Sequence, residues 1–144
     1  MGCLEPEQPV MIALVLDTHS AIWLLHADAR LSPLARERIE SATRQQAQVA
    51  ISSITLVEVA YLEEKGRIPA GTLQGVLALL DRPEPSLVEI PVSRDIVASL
   101  LAISRETVPD MPDRVIAATA MSLGVPLVSR DGKIRDSHVQ TIWQ

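Results

Sequence analysis

Ile12-Ala13-Leu14-Val15-Leu16 is an unbroken apolar run of strand length that stops at Asp17. A strand flanked by solvent alternates apolar and polar residues, whereas one covered on both faces does not, so the run belongs inside a sheet with helices packed above and below. The aspartate at its end then stands at the sheet's carboxyl edge, where open parallel sheets bind their ligands. Asp17-Thr18 can equally cap a following helix. Asp17 by itself therefore leaves both readings open.

The rest of the chain alternates in the same way. Helical patterns are expected over 18–26, with Trp23 and Leu25 in the core, and from Ser32-Pro33 toward Gln45, where serine caps and proline opens the first turn. A strand over 48–52 leads into a helix over 54–65, capped by Ser53 and closed by Gly66. Thr72 opens a leucine-rich helix that Pro83 and Pro85 stop, and a strand over 87–90 follows. Ser93 caps a helix carrying Ile96 through Ile103, and Asp110 precedes an alanine-rich helix ending at Gly124. Strands over 125–129 and 139–143 complete the pattern. Strands and helices alternating at these lengths imply βαβ crossovers and a parallel sheet between two helical layers.

The 144 residues suit a single domain, expected over 11–144 behind a loose tail, 1–10, that carries the lone Cys3. With no Phe, the core must be built from Leu, Ile, Val and Ala. One cysteine precludes an intramolecular disulfide and suits a reducing cytoplasm. No apolar run approaches the roughly 20 residues that span a bilayer, so no membrane role is expected. A formal net charge of −5 argues against broad electrostatic binding of nucleic acid.

Four acids stand where convergence is possible. Asp17 and Asp131 each follow an apolar strand, and Glu58 and Asp113 lie in early turns of helices that begin near the same edge. Hard divalent cations take several carboxylate oxygens, and without one such acids repel by about 4 kcal/mol per pair at ~4 Å in an effective dielectric near ~20. Each has a local alternative. Glu58 fits a solvated helix face, Asp113 complements a helix dipole, and Asp110 fits an N-cap. His19 beside Asp17 has no second histidine or cysteine at ligand spacing, which disfavours zinc.

Leu16-Asp17-Thr18-His19, Glu58 within Ser53-Ile54-Thr55-Leu56-Val57-Glu58, Met111-Pro112-Asp113-Arg114 with Ala117-Ala118-Thr119-Ala120, and Pro126-Leu127-Val128-Ser129-Arg130-Asp131 resemble the successive motifs of the PIN-domain nucleases, and more narrowly the VapC-type toxins. The likeness runs from Met11 to Trp143. It implies an α/β fold, a single PIN-like domain whose central parallel sheet has the strand order 3-2-1-4-5 and helices on both sides. It implies that Asp17, Glu58, Asp113 and Asp131 are catalytic and hold Mg²⁺ or Mn²⁺, with hydroxyls of Thr18 and Ser129 beside them and Asp110 a further candidate. Many relatives carry a histidine shortly before the third acidic motif, where this chain has Thr107-Val108-Pro109.

The implied activity is hydrolysis of RNA by a metal-dependent endoribonuclease toxin. The implied partners are a cognate VapB-type antitoxin, through which alone the protein meets DNA, and a second copy in a homodimer. Tyr61-Leu62 and the helix at Leu73 to Leu80 are the surfaces first suggested for pairing. A cation in the site would cancel its acids, and Arg114, Arg130, Lys133 and Arg135 are expected to hold flanking phosphates. The alternatives are a non-catalytic PIN-like interaction module and a phosphoacceptor domain. The second needs an acidic pair at the first strand that Leu16-Asp17-Thr18 lacks.

Overall fold

The computed structural model describes residues 11–135, 137 and 139–143, so the expected N-terminal tail lies outside the described residues. Strand β1 (Ile12–Leu16) leads into helices α1 (Thr18–Leu25) and α2 (Pro33–Arg44). Strand β2 (Gln48–Ser52) is followed by α3 (Ser53–Glu64) and α4 (Thr72–Leu80), and β3 (Leu87–Ile90) by α5 (Arg94–Leu100) and α6 (Met111–Leu123). Then come β4 (Leu127–Val128), a short α7 (Gly132–Arg135) and β5 (Thr141–Ile142). The strands form one parallel sheet in the order β3-β2-β1-β4-β5, as expected.

The alternation of β1 explains its uniform composition. Leu14 and Leu16 enter one core with Trp23, Ile39, Val59 and Val76 from α1 to α4. Val15 enters the other with Ile96, Ile116 and Leu127, beneath α5 and α6. Successive side chains point to opposite faces, and here each face meets helices, so the buried positions Leu14, Val15 and Leu16 leave no room for a polar group.

Local boundaries differ from the sequence reading in four places. Ser52, not Ser53, caps α3, accepting a hydrogen bond at Oγ from the Ile54 amide, while the Ser53 hydroxyl donates to Glu89 on the neighbouring strand. Helix α5 ends at Leu100, and Ile103 is buried in the turn beyond it. The last two strands are two residues each. Pro126 cannot donate to the ladder, although its carbonyl accepts from the Val15 amide at 3.0 Å. Helix α7 was not expected, because four residues carry no readable period.

Helix α4 contributes to the core: Val76 is buried, and the half-buried Leu73, Leu79 and Leu80 pack against the same cluster. Among the described residues no helix is long and apolar enough to cross a membrane.

Ile116 is fully buried in the middle of α6. Alanine keeps helix propensity there and removes only packing, so Ile116→Ala is expected to cost about 2–5 kcal/mol of unfolding free energy. Chemical denaturation measures this; a loss below ~1 kcal/mol would show that the α6–sheet contact is not the core described.

Candidate active site

Pairing of Leu16 with Val128 places the ends of β1 and β4 side by side, and the Asp17 amide donates to the Val128 carbonyl at 3.1 Å. Both chains leave the sheet there, delivering Asp17 and Asp131 to one edge. Helix α3, which follows β2 directly, brings Glu58 in its second turn, and α6 brings Asp113 in its first. The result is a cavity of about 330 Å³ lined by Asp17, Thr18, Glu58, Asp110, Asp113 and Asp131, with His19, Trp23 and Arg130 completing the wall. All four acids singled out in the sequence line it, and Asp110 joins them.

Three of these carboxylates also cap helices. Asp17 Oδ1 accepts from the Ser20 amide at 2.9 Å, Asp110 Oδ1 from the Asp113 amide at 3.1 Å, and Asp131 Oδ1 from the Lys133 amide at 2.8 Å. Each cap bond uses one oxygen and leaves Oδ2 with no hydrogen-bond partner among the described residues. Capping and a role in the cavity are thus compatible, because the cap fixes the rotamer that aims the second oxygen. Glu58 is held differently: buried Thr18 donates its hydroxyl to Glu58 Oε1 and lies 3.3 Å from Thr55 Oγ1.

The electrostatics are unfavourable to the acids as they stand. Burial raises the Glu58 carboxyl above its ordinary value, with the Thr18 hydrogen bond working against the shift. Burial pushes Asp113 up from 3.8 to about 7, and the charges of Asp110, Asp131, Glu58 and Asp17 push the same way. No hydrogen bond to the Asp113 carboxyl is present among the described residues to offset this.

Apart from His19 the possible ligands in the lining are oxygen donors, a set that suits a hard cation such as Mg²⁺ or Mn²⁺ better than zinc. The carboxylates are nonetheless spread around the cavity wall. Among the described residues no three acidic, histidine or cysteine side chains converge on a common ligating point. Closing on an ion would therefore require rotation of the Asp113 carboxyl, which no hydrogen bond holds among the described residues, or bridging water to the capped aspartates.

Arg130 is exposed at the cavity mouth, its guanidinium 4.9 Å from the centre of the Trp23 ring. Arg114 is placed otherwise than expected. Its Nη2 donates to the carbonyls of Leu100 at 3.0 Å and Ile103 at 2.8 Å, closing the end of α5, and its Nε is buried without a partner among the described residues. Ser129 is fully buried, and its Oγ accepts from the Asp131 amide at 3.1 Å, so it sets the backbone of Asp131 instead of facing the cavity. Lys133 and Arg135 are exposed on α7 outside the cavity lining. Sequence reasoning had assigned Trp23 to the core alone. It is 4% exposed, yet it also forms cavity wall, a double role that no spacing signals.

Fold and cavity together define a parallel α/β domain with a carboxylate site at the sheet edge where β1 and β4 meet. The PIN domain family model matches residues 14–137. Over 137 residues, 92% of this chain and the whole of the relative, the sequence is 31% identical to Ribonuclease VapC22 of Mycobacterium tuberculosis. The chain belongs to the PIN-domain family, on its VapC branch. Solved structures with the same fold include VapBC2 from Rickettsia felis bound to a DNA fragment from its promoter, at TM-score 0.70 and 20% identity over 93% of this chain and 100% of that one. A toxin-antitoxin complex from Klebsiella pneumoniae matches at TM-score 0.60 and 24% identity over 90% of this chain and 96% of that one.

The raised carboxyls make stability depend on pH. Folded Asp113 holds its proton to about pH 7, while the unfolded chain releases it near 3.8, so between these values the folded state binds more protons. This contribution is complete below pH 3.8 and is lost as pH rises through about 7. The melting temperature of metal-free protein is expected to fall between pH 5 and pH 8, and Asp113→Asn to flatten that fall. Parallel profiles for the two proteins would remove Asp113 as the source.

Proposed function

We propose that the protein is a Mg²⁺- or Mn²⁺-dependent endoribonuclease, the toxin of a toxin-antitoxin pair acting in the cytoplasm. The observation that carries this reading is one cavity walled by five carboxylates, one of them driven to about 7 by burial and by its neighbours, in a chain 31% identical to a ribonuclease. Helix capping accounts for Asp17, Asp110 and Asp131 but not for Glu58 and Asp113, whose carboxyls are raised by burial and by neighbouring acids, and a hard cation would relieve them.

Asp17, Glu58, Asp113 and Asp131 would hold the cation or cations. When bound, such an ion supplies Lewis acidity to a phosphoryl oxygen and makes water nucleophilic near neutral pH. The chain's own residues do the positioning. Thr18 orients Glu58, Asp110 fixes the first turn that carries Asp113, and Ser129 sets the backbone at Asp131. Arg130, steadied against Trp23, takes a phosphate beside the scissile one. The RNA phosphodiester is thereby held with its bond to be broken over the acids and its flank at the guanidinium.

A VapB-type antitoxin is the proposed partner, supported by the VapBC complex among the structural neighbours, and contact with DNA would come through it. Homodimer formation is supported by apolar side chains left in solvent. Val57 and Tyr61 on α3 are 60% and 62% exposed, and Val97 on α5 and Leu101 at its end are 54% and 82% exposed. Both helices pack on α6, and these residues are the surface that the exposed apolar side chains favour for pairing.

The test is cleavage of a pool of cellular RNAs by antitoxin-free protein with Mg²⁺ or Mn²⁺. Asp17→Asn, Glu58→Gln and Asp131→Asn should each fold normally by circular dichroism and lose activity by about 100-fold or more, since even the outer partners of metal ligands cost ~10–100-fold. Near-normal cleavage by a variant takes that residue out of the site, and cleavage that survives EDTA overturns the cation's role.

A further inference from the structure

Among the described residues, Glu58 is the one acid of the cavity held by a side-chain hydroxyl, that of Thr18 on α1, whereas backbone amides hold Asp17, Asp110 and Asp131. Thr18 in turn meets Thr55, whose Oγ1 lies 3.3 Å from its own. Thr18 is 3% exposed and Thr55 0%, so solvent does not compete for either hydroxyl.

Counting hydrogens fixes the direction of this chain of contacts. A carboxylate that holds a cation can only accept, so the single hydroxyl hydrogen of Thr18 goes to Glu58 Oε1. The contact between the two threonines then has one possible donor, Thr55. A hydroxyl that accepts one hydrogen bond also donates the next more strongly.

Nothing else among the described residues uses the Thr55 hydroxyl. Thr119 in α6, also buried, sends its hydroxyl back to the Val115 carbonyl of its own helix at 2.7 Å, the ordinary local outlet for a helical threonine. Thr55 is the third residue of α3, and its partner is across the molecule on α1. It stands three residues before Glu58, on the same face of the helix, so α3 carries both the acid and the group that orders it.

We propose that Thr55 is a positioning residue of the nuclease site: by donating to Thr18 it aims the Thr18 hydroxyl at Glu58 Oε1 and leaves Oε2 for the cation. The identity of what binds there rests on the proposed function. Glu58 needs such a device more than the aspartates do, because its side chain has one more rotatable bond and no cap to lock it.

The experiment measures Mn²⁺ binding by the full chain, read from the electron paramagnetic resonance signal of free Mn²⁺, beside cleavage of the RNA pool. Thr55→Val removes the hydroxyl at nearly constant shape, and Thr55→Ser keeps it and loses a methyl. Thr119→Val removes a buried hydroxyl that bonds no acid. Thr55→Val is expected to weaken Mn²⁺ binding about tenfold, as outer partners of metal ligands do, while Thr55→Ser and Thr119→Val stay within about twofold of wild type. Cleavage by Thr55→Val falls at low Mn²⁺ and recovers at saturating Mn²⁺. If Thr55→Val fails to fold by circular dichroism, Thr55→Ala makes the same comparison without pressing a methyl on the Thr18 oxygen. Wild-type Mn²⁺ affinity in the variant without the hydroxyl overturns the proposal. A loss shared by Thr55→Ser does so as well, because the methyl would then be responsible, and an equal loss in Thr119→Val would show that any buried hydroxyl matters as much. RNA cleavage with Mn²⁺ binding indifferent to Thr55 sinks the role of Thr55 alone. Thr55-dependent Mn²⁺ binding by wild-type protein that cuts no RNA sinks the ribonuclease reading alone, and no Mn²⁺ binding by wild-type protein overturns both.

Discussion

Mutual repulsion among carboxylates is the constraint to which the rest of this molecule answers. Asp17, Glu58, Asp110, Asp113 and Asp131 share one cavity wall, and at Asp113 the charges of the other four add to burial in raising the carboxyl. Such a group disperses on a flexible scaffold. Here it is anchored to β1 and β4, whose Val15, Leu16, Leu127 and Val128 are completely buried, to α3, and to α6, which is buried all round from Val115 to Ala120. Moving one acid away means dragging a packed strand or helix, at a cost of several kcal/mol for each large side chain exposed.

The hydrogen bonds complete what packing begins. An aspartate that caps a helix spends one oxygen on a backbone amide and in doing so loses its rotational freedom. Asp17, Asp110 and Asp131 all do this at the cavity, so the cost in entropy of ordering them was met when the helices formed. The cap and the site are therefore one device, and a choice between them, which the sequence invites, is a false one.

Much of this was legible because it depends on local patterns. Uniformly apolar strands, the serine caps at 32 and 93, the aspartate cap at 110 and the glycine stop at 124 are all decided within a few residues, and the structure has them. The cap of α3 was off by one because Ser52 and Ser53 stand side by side and only the partner strand, through Glu89, decides between them. Arg114 lies outside the cavity lining for a reason the sequence only partly contains. Adjacent residues on an α-helix point about 100° apart, so Arg114 need not follow Asp113 into the cavity, yet Thr18 and His19, adjacent on α1, both line it. What no local rule reaches is the role of Trp23, which depends on Arg30 and Arg130 arriving from distant parts of the chain.

Net charge is a poor guide to the ligand of a chain organised this way. The total of −5 is dominated by acids that include the five in the cavity, and those are the charges a bound cation would cancel under the proposed function. With them neutralised, the surface beside the cavity is set by Arg130, Arg30 and Arg67, of which one is offset by Asp28. Under the proposed function such a protein would repel polyanions until its cation is in place. Affinity for RNA and loading of the site would then rise together, a coupling that follows from where the charges stand rather than from any change of shape.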